Sequence, residues 1–292
     1  MSTVKPTAEN SLEADFNTRF GVAAPAYFAA GLADMDLMPD AAGALSRILS
    51  RRSYRRFTGQ PVPEALYTAL LACAQSAPAK SDLQQYSILD VRDPAKKAAL
   101  AELCDTAWMA DAPLLLVFCG DLRRARLVCE LRGHAYAQNT LDSFLNAAVD
   151  AALAMQAMIL AAEAAGLGCC CISQVRKRLT ETTDLLGLPD GVFPISGLAA
   201  GWPDEARDVT RRLPPSVVVH RDVYSDSGLG PEIDAYDQRR HAARPLANQI
   251  KPEKFGTADF YGWSENAARR LAETSNLGAL RAHLEAHGFD LG

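Results

Sequence analysis

Four arginines, one hydroxyl and two aromatic rings fall within seven residues, Arg51-Arg52-Ser53-Tyr54-Arg55-Arg56-Phe57. A guanidinium fork matches phosphate oxygens bidentately and stays charged at any working pH. Several forks beside a serine hydroxyl can hold a dianionic phosphate. On charge pattern alone, a solvated basic turn of a helix is the simpler reading. Three other stretches bear on the choice. Arg212 follows Arg211 just ahead of a Pro-Pro pair. The run Ser76-Ala-Pro-Ala-Lys80-Ser81-Asp82-Leu83-Gln84-Gln85-Tyr86 mixes small, polar and chain-breaking residues, the composition of a functional loop. The run Cys171-Ile172-Ser173-Gln174 lies at an expected strand start. That loop and that strand start could present backbone N–H groups to a heterocycle.

Other chemistries find no support. Three consecutive cysteines, Cys169 to Cys171, cannot chelate one tetrahedral metal, because alternate strand residues point to opposite faces. They read better as small buried side chains. His283 and His287 are four apart, but no further ligand is nearby, so a solvated helix surface is the better reading. Gly166-x-Gly168-x-x-Cys171 fails the dinucleotide glycine pattern and follows a helix rather than a strand. Neither a Gly-x-Ser-x-Gly elbow nor a Walker A run is present. What remains is phosphate chemistry without a nucleotide-fold loop, with Arg51, Arg52, Ser53, Arg55 and Arg212 as candidates.

Composition sets the frame for these residues. The chain has 292 residues, 49% hydrophobic and 22% charged, as expected of a soluble globular protein with a sizeable core. A net charge of −5 argues against a general nucleic-acid binder. Met1 to Asn10 is polar and carries no secretory signal pattern. Seven cysteines, an odd number, fit a reducing cytoplasm better than a disulfide framework.

The elements that must position the candidates follow in order. Residues 1–44 read as an extension anchored by Phe16, Phe20, Tyr27 and Phe28 and punctuated by Pro25 and Pro39. It either wraps a subunit surface or stays partly disordered. Helical spacing predicts helices over Gly43 to Arg51 and from Pro63-Glu64 to Gln75. Tyr86 to Val91 reads as a strand and 94–104 as a helix. The apolar run Leu114 to Cys119 reads as a strand buried on both faces. A long helix, apolar nearly all round, runs from Asp142 to Gly166, with Asp142 or Ser143 as its cap. A membrane span competes there. Asp150, Gln156 and Glu163 break the run, and alanine dominates it, so a buried core or subunit-interface helix is preferred. Cys169 to Ser173 reads as a strand, 176–187 as a helix, and Pro194 onward as another strand. Val217 to His220 reads as a strand and 224–262 as irregular, with a short helix near Tyr236 to Ala243. Helices from Ser264 and from Leu277 to His287 close the chain.

Taken together, five blocks in order resemble the FMN-dependent nitroreductase family, in the branch of the oxygen-insensitive NADPH nitroreductases and NADPH–flavin oxidoreductases. They are Arg51 to Phe57; Ser76 to Tyr86; Asp150 to Gly168 with Gln156 inside; Gly201-Trp-Pro203; and Arg212-Leu-Pro214 followed by Val219-His220. Lys254-Phe-Gly, Tyr261-Gly-Trp-Ser264 and the closing Gly288-Phe289 also resemble that branch.

The resemblance implies an α+β fold with a mostly antiparallel central sheet flanked by helices, and the long helix in a homodimer interface. It divides the chain into an extension (1–44), an FMN-binding core (45–224) and a C-terminal extension (225–292). It implies that Arg51, Arg52, Ser53, Arg55 and Arg212 surround the FMN phosphate and ribityl chain. Lys80, Ser81 and Gln84 would lie along the flavin edge, and Thr106 against the isoalloxazine. Cys171, Ile172, Ser173 and Gln174 would run past the dimethylbenzene and N5 side. Lys254 would meet the NADPH 2′-phosphate, with Arg176 beside the nucleotide. Thr210 stands where relatives carry a lysine near flavin N1/O2, so Arg176 or Arg211 would supply that charge. The implied activity is NADPH- or NADH-driven, ping-pong reduction of nitroaromatics, quinones or flavins, with no catalytic side chain required. A sibling flavoenzyme (enone reductase or reductive dehalogenase) and a non-catalytic FMN-binding protein are the alternatives. A cytoplasmic homodimer without nucleic-acid or membrane partners completes the expectation.

Overall fold

The computed structural model describes residues 8–26, 28, 40–273 and 279–290. Tyr27, Pro39 and Leu277, which carried expectations above, lie outside the described residues. Contacts divide the chain into two units, residues 1–51 with 208–274, and residues 52–207 with 275–292.

In chain order the first unit begins with α1 (Ala8–Phe20) and α2 (Ala41–Leu49). The second unit then runs through α3 (Glu64–Gln75), β1 (Tyr86–Asp90), α4 (Pro94–Leu103), β2 (Leu114–Asp121), α5 (Arg123–Leu131), α6 (Leu141–Ala164), β3 (Gly168–Ile172), α7 (Leu179–Leu186) and β4 (Val192–Gly201). The chain returns to the first unit for α8 (Leu229–Ala243) and α9 (Trp263–Leu271), and α10 (Ala279–Ala286) belongs to the second.

The second unit is built on one antiparallel sheet in the order β1-β2-β4-β3. Every residue of β2 is buried. Leu114, Leu116 and Phe118 face Ala151, Ala154 and Met158 of α6, whereas Leu115, Val117 and Cys119 face Leu100 and Ala101 of α4. Helices cover both faces, so β2 has no polar alternation, as its unbroken apolar sequence implies. The α+β architecture is that expected.

Helix α6 is 24 residues long. Its cap is Thr140, whose hydroxyl accepts the Ser143 N–H at 3.3 Å, rather than the expected Asp142 or Ser143. Gly166, at φ +88°, turns the chain away from the helix end. One face, with Ala147, Ala151, Ala154, Met158 and Ala162, is buried. Leu141, Leu145, Val149 and Leu153, spaced four apart, form an apolar stripe that is exposed in the single chain. The helix is long and apolar enough to cross a membrane, with mean hydropathy 1.6. Its packing against β2 accounts for the apolar residues of the buried face.

Other expectations change. The run Val217 to His220 is not a strand. Pro215 opens a single helical turn, Pro215–Val218, because its fixed φ suits a first turn. The 224–262 stretch holds the 15-residue α8, started after Gly228 at φ +78°. Only Tyr236 and Asp237 of α8 are buried, so it shows little apolar periodicity. The run 171–174 is a strand end, where β3 passes into a 3₁₀ turn at Ser173–Arg176. In the first unit, the Phe16 ring meets Phe20 and Phe28 in tilted contacts, with centroids 4.6 and 5.1 Å apart, so those anchors pack together.

His283 is buried rather than solvated, 7% exposed, with its ring nitrogens 3.4 and 3.2 Å from the hydroxyls of Thr180 and Thr183. Burial, then neighbouring His287, pushes its pKa down, while Asp184 opposes the shift. The docking of α10 therefore has its full stability above the free imidazole range near about 6.5, and loses it as pH falls through the depressed value. Once the intrinsic slowing of amide exchange at low pH is divided out, protection across residues 279–290 is expected to be lower at pH 5 than at pH 7.5. His283→Asn should remove that pH dependence.

Candidate functional site

In the second unit, the arginine-rich run is an extended strap rather than a helix turn. Ser53 bridges Cys169 of β3, and Phe57 bridges Pro203. The Tyr54 N–H donates to the Cys169 carbonyl at 3.1 Å, and the Thr58 N–H to Trp202 at 2.8 Å. Arg52 donates through Nε to the Tyr54 hydroxyl at 2.9 Å and through its fork to the Arg207 carbonyl at 3.3 Å. Arg56 folds back onto the Asp204 carbonyl at 3.1 Å. Arg55 is exposed, and among the described residues no carboxylate pairs with its guanidinium. The strap thus leaves Arg55 and Arg56 exposed, and of the two Arg56 is held by the Asp204 carbonyl.

Residues Cys171, Ser173 and Gln174, exposed, and Ile172, buried, lie at the end of the strand that the strap crosses. Thr106 donates to the Cys104 carbonyl at 2.7 Å in the turn after α4. Lys177, just past Gln174, pairs with Asp105 of that turn and helps hold its carboxyl below the usual range. The run Cys171 to Gln174 and Thr106 are therefore tethered to one region. Arg176 is half-buried. Its guanidinium donates to the Ile195 carbonyl, and burial lowers its pKa. Its charge is directed into the unit.

Lys80, Ser81 and Gln84 share an exposed loop with a 3₁₀ turn at Lys80–Asp82. Ser81, Asp82 and Gln84 have φ of 50°, 58° and 50°, in the left-handed region that L-residues seldom occupy. Asp150 on α6 holds this loop. Its side chain accepts the Lys80 N–H at 2.9 Å and the Gln85 N–H at 3.0 Å, one on each oxygen. Arg124 closes the other side by donating to the Gln84 and Tyr86 carbonyls at 2.7 and 3.2 Å.

The remaining candidates belong to the first unit. Arg19, only 5% exposed, donates to the carbonyls of Leu49 at 2.7 Å, Thr210 at 2.8 Å, and Arg51. Its own carbonyl accepts the Arg212 N–H at 2.8 Å. One buried guanidinium thereby brings the Arg51 and Arg212 segments together. Arg211 donates to the Arg239 carbonyl. Lys254 pairs with Glu273 at 2.6 Å, and Lys251 joins at 2.9 Å. The two ammoniums hold the Glu273 carboxyl down at about 2.

Asp150, Arg19 and Glu205, whose carboxylate accepts the Arg55 and Arg56 N–H groups at 2.7 and 3.2 Å, are shaping residues that no sequence motif marks. The polar break at Asp150 in an apolar helix was the one local signal; Arg19 and Glu205 offer none. A cavity of ≈ 390 Å³ lies elsewhere in the second unit, lined by Tyr67, Asp90, Arg92 and Lys97. Its charges are met internally: Asp90 and Glu64 hold Arg92, and the Ala112 and Pro113 carbonyls hold Lys97.

The candidate residues of the second unit are a cationic strap bridged to the start of β3 and a polar loop at Lys80–Gln84 with residues at positive φ, and there is no metal-binding cluster among the described residues. Such a site suits a phosphorylated organic group. Residues 48–202 match the nitroreductase family, and residues 211–292 match the nitroreductase family, C-terminal domain. The chain belongs to the nitroreductase family. It is 35% identical over 250 residues to an FMN reductase [NAD(P)H] of Bacillus subtilis, covering 84% of this chain and 97% of the relative. It is 36% identical over 178 residues to the oxygen-insensitive NADPH nitroreductase of Salmonella typhimurium, covering 61% and 72%. Among solved structures, NADPH:FMN oxidoreductase from Vibrio harveyi complexed with NAD+ aligns with TM-score 0.74 at 29% identity, covering 84% of this chain and 97% of that one.

Proposed function

We propose that this protein is an FMN-dependent NAD(P)H oxidoreductase reducing nitroaromatics, quinones or flavins. The observation that carries the reading is the strap: Ser53, between Arg52 and Arg55, is bridged to Cys169 near the start of β3, and Arg55 is exposed. These residues fit a phosphate dianion by charge and by donor geometry. Arg51 and Arg212, whose main-chain segments Arg19 brings together, are assigned the same preference. Lys80, Ser81 and Gln84 supply donors along a heterocycle edge, with Thr106 and the run Cys171, Ile172, Ser173, Gln174 against its rings. Bound FMN supplies the hydride chemistry, so nucleotide and acceptor can alternate at one face in a ping-pong cycle. Lys254 is the proposed contact for the NADPH 2′-phosphate, in exchange for Glu273.

The setting proposed is a cytoplasmic homodimer. The chain carries an odd number of cysteines, seven, which suits a reducing compartment. The exposed stripe Leu141, Leu145, Val149 and Leu153 supports α6 as the face that meets a second copy. Leu145→Arg is expected to shift the protein from dimer to monomer in light scattering. A dimer that survives would remove α6 from the interface.

The purified protein is expected to carry an FMN spectrum that bleaches anaerobically with NADPH or NADH and returns on adding nitrofurazone or a quinone. Arg55→Ala should lose FMN retention. Full occupancy and rate in that variant would sink the phosphate assignment, and a flavin spectrum that neither nucleotide bleaches would favour a non-catalytic flavin carrier.

A further inference from the structure

We propose that Glu205 is a positioning residue for phosphate recognition, holding the main chain of Arg55 and Arg56 so that the Arg55 guanidinium faces the ligand. This rests on the reading of Arg52, Ser53 and Arg55 as a phosphate anchor. Glu205 lies in the segment after β4, about a hundred and fifty positions from the strap. One oxygen accepts both the Arg55 N–H at 2.7 Å and the Arg56 N–H at 3.2 Å. The other pairs with Arg207 Nε at 2.9 Å, and the Glu205 side chain is 10% exposed. Two successive amides on one oxygen fix the backbone between them, and with it the directions of the two side chains. The Asp204 N–H donates to the Arg56 carbonyl at 3.1 Å, and the Asp204 carbonyl takes the Arg56 fork, so Arg56 is turned away. Arg55 is left as the outward member of the pair.

A carboxylate close to a phosphate would ordinarily repel it. Here Arg207 is paired with that carboxylate and its carbonyl accepts Arg52, so the negative charge is offset within the strap's own support. Burial would raise the Glu205 pKa, but the Arg55 amide, the Arg207 guanidinium and the Arg56 amide hold it below the usual carboxylate range. The group is ionised throughout the neutral range, and its contribution is orientation rather than net charge.

The test compares FMN with riboflavin, which has the same ring and lacks the phosphate. Dissociation constants are measured by flavin fluorescence for the full chain and for Glu205→Gln, Glu205→Asp and Arg55→Ala. Glu205→Gln is expected to weaken FMN about tenfold, the loss of one charge-assisted bond, with riboflavin within about twofold. Glu205→Asp keeps the charge paired with Arg207 but shortens the reach by one methylene. It should fold and show the same selective loss in smaller measure. Equal losses for both flavins would mark Glu205 as merely structural and overturn the proposal. Unchanged or tighter FMN binding in both Glu205 variants would also overturn it, while a lost FMN preference in Arg55→Ala keeps the anchor reading intact. An Arg55→Ala protein that still prefers FMN over riboflavin would instead overturn the anchor reading itself.

Discussion

Asp150→Asn is expected to destabilise the protein by on the order of 3 kcal/mol and to free the Lys80–Gln85 loop. Asp150 is 1% exposed, and each oxygen takes one backbone N–H, Lys80 at 2.9 Å and Gln85 at 3.0 Å. Asparagine has nearly the same volume but only one acceptor atom. Its amide NH₂ would face one of the two N–H groups, leaving a buried donor unpaired against another donor. The loop between them holds Ser81, Asp82 and Gln84 at positive φ, a conformation that costs about 1 kcal/mol or more per residue and persists only while its ends are fixed. Removing one anchor therefore loses a charge-assisted bond and releases the strain together. A thermal scan should show Tm lower by roughly 10 °C, and hydrogen exchange should accelerate at Lys80 and Gln85. Asp142→Asn, in the exposed first turn of the same helix, serves as the control and should change little. Matching melting curves for the two variants would show that the Asp150 bonds carry no stability.

The second large effect is expected at Gly168, the first residue of β3. A Cβ there would stand 2.6 Å from the Tyr54 ring and 2.9 Å from Pro203. Neither neighbour can yield at small cost. Tyr54 is tied by its N–H to Cys169 at 3.1 Å and by its hydroxyl to Arg52 at 2.9 Å, and Pro203 continues the segment bridged to Phe57. Gly168→Ala must therefore lift the strap, at a cost of about 1–3 kcal/mol. Arg52 and Ser53 would move with it. Flavin retention should fall further than stability alone explains, because Arg52 loses its orienting partner. Gly59→Ala is the matched control, since nothing lies within 4 Å of its added methyl. If Gly168→Ala retains flavin as well as Gly59→Ala does, the strap is not the anchor.

Both effects lie where the sequence is nearly silent. Asp150 reads only as a polar break in an apolar run, since its partners are 70 and 65 positions away. Gly168 reads as part of a glycine pair that fails a nucleotide motif. Glu205 and Arg19 carry no local signal at all. By contrast β2, α4 and the course of α6 are legible, because burial on both faces or helical spacing repeats within a few residues. The misread Val217 to His220 shows the limit of that logic. Three β-branched residues suggest a strand, but a strand needs a ladder partner, and Pro215 turns the run into one helical turn instead. Helix α8 is longer than its sequence suggests for the converse reason: a helix that buries little beyond Tyr236 and Asp237 leaves no apolar stripe to detect.

By itself the sequence determined the four segments that form the sheet and the presence of an arginine-rich phosphate candidate, because these rest on short apolar runs and residue type, while the α+β class followed from the resemblance of five ordered blocks to a family. Only the tertiary structure decided what each arginine does. Arg56 is folded onto Asp204, Arg52 bridges Tyr54 and Arg207, Arg176 is turned in toward Ile195, and Arg55 is left facing solvent. A guanidinium's role is set by the acceptors within about 3 Å of it, and here nearly all of those come from segments distant in the chain.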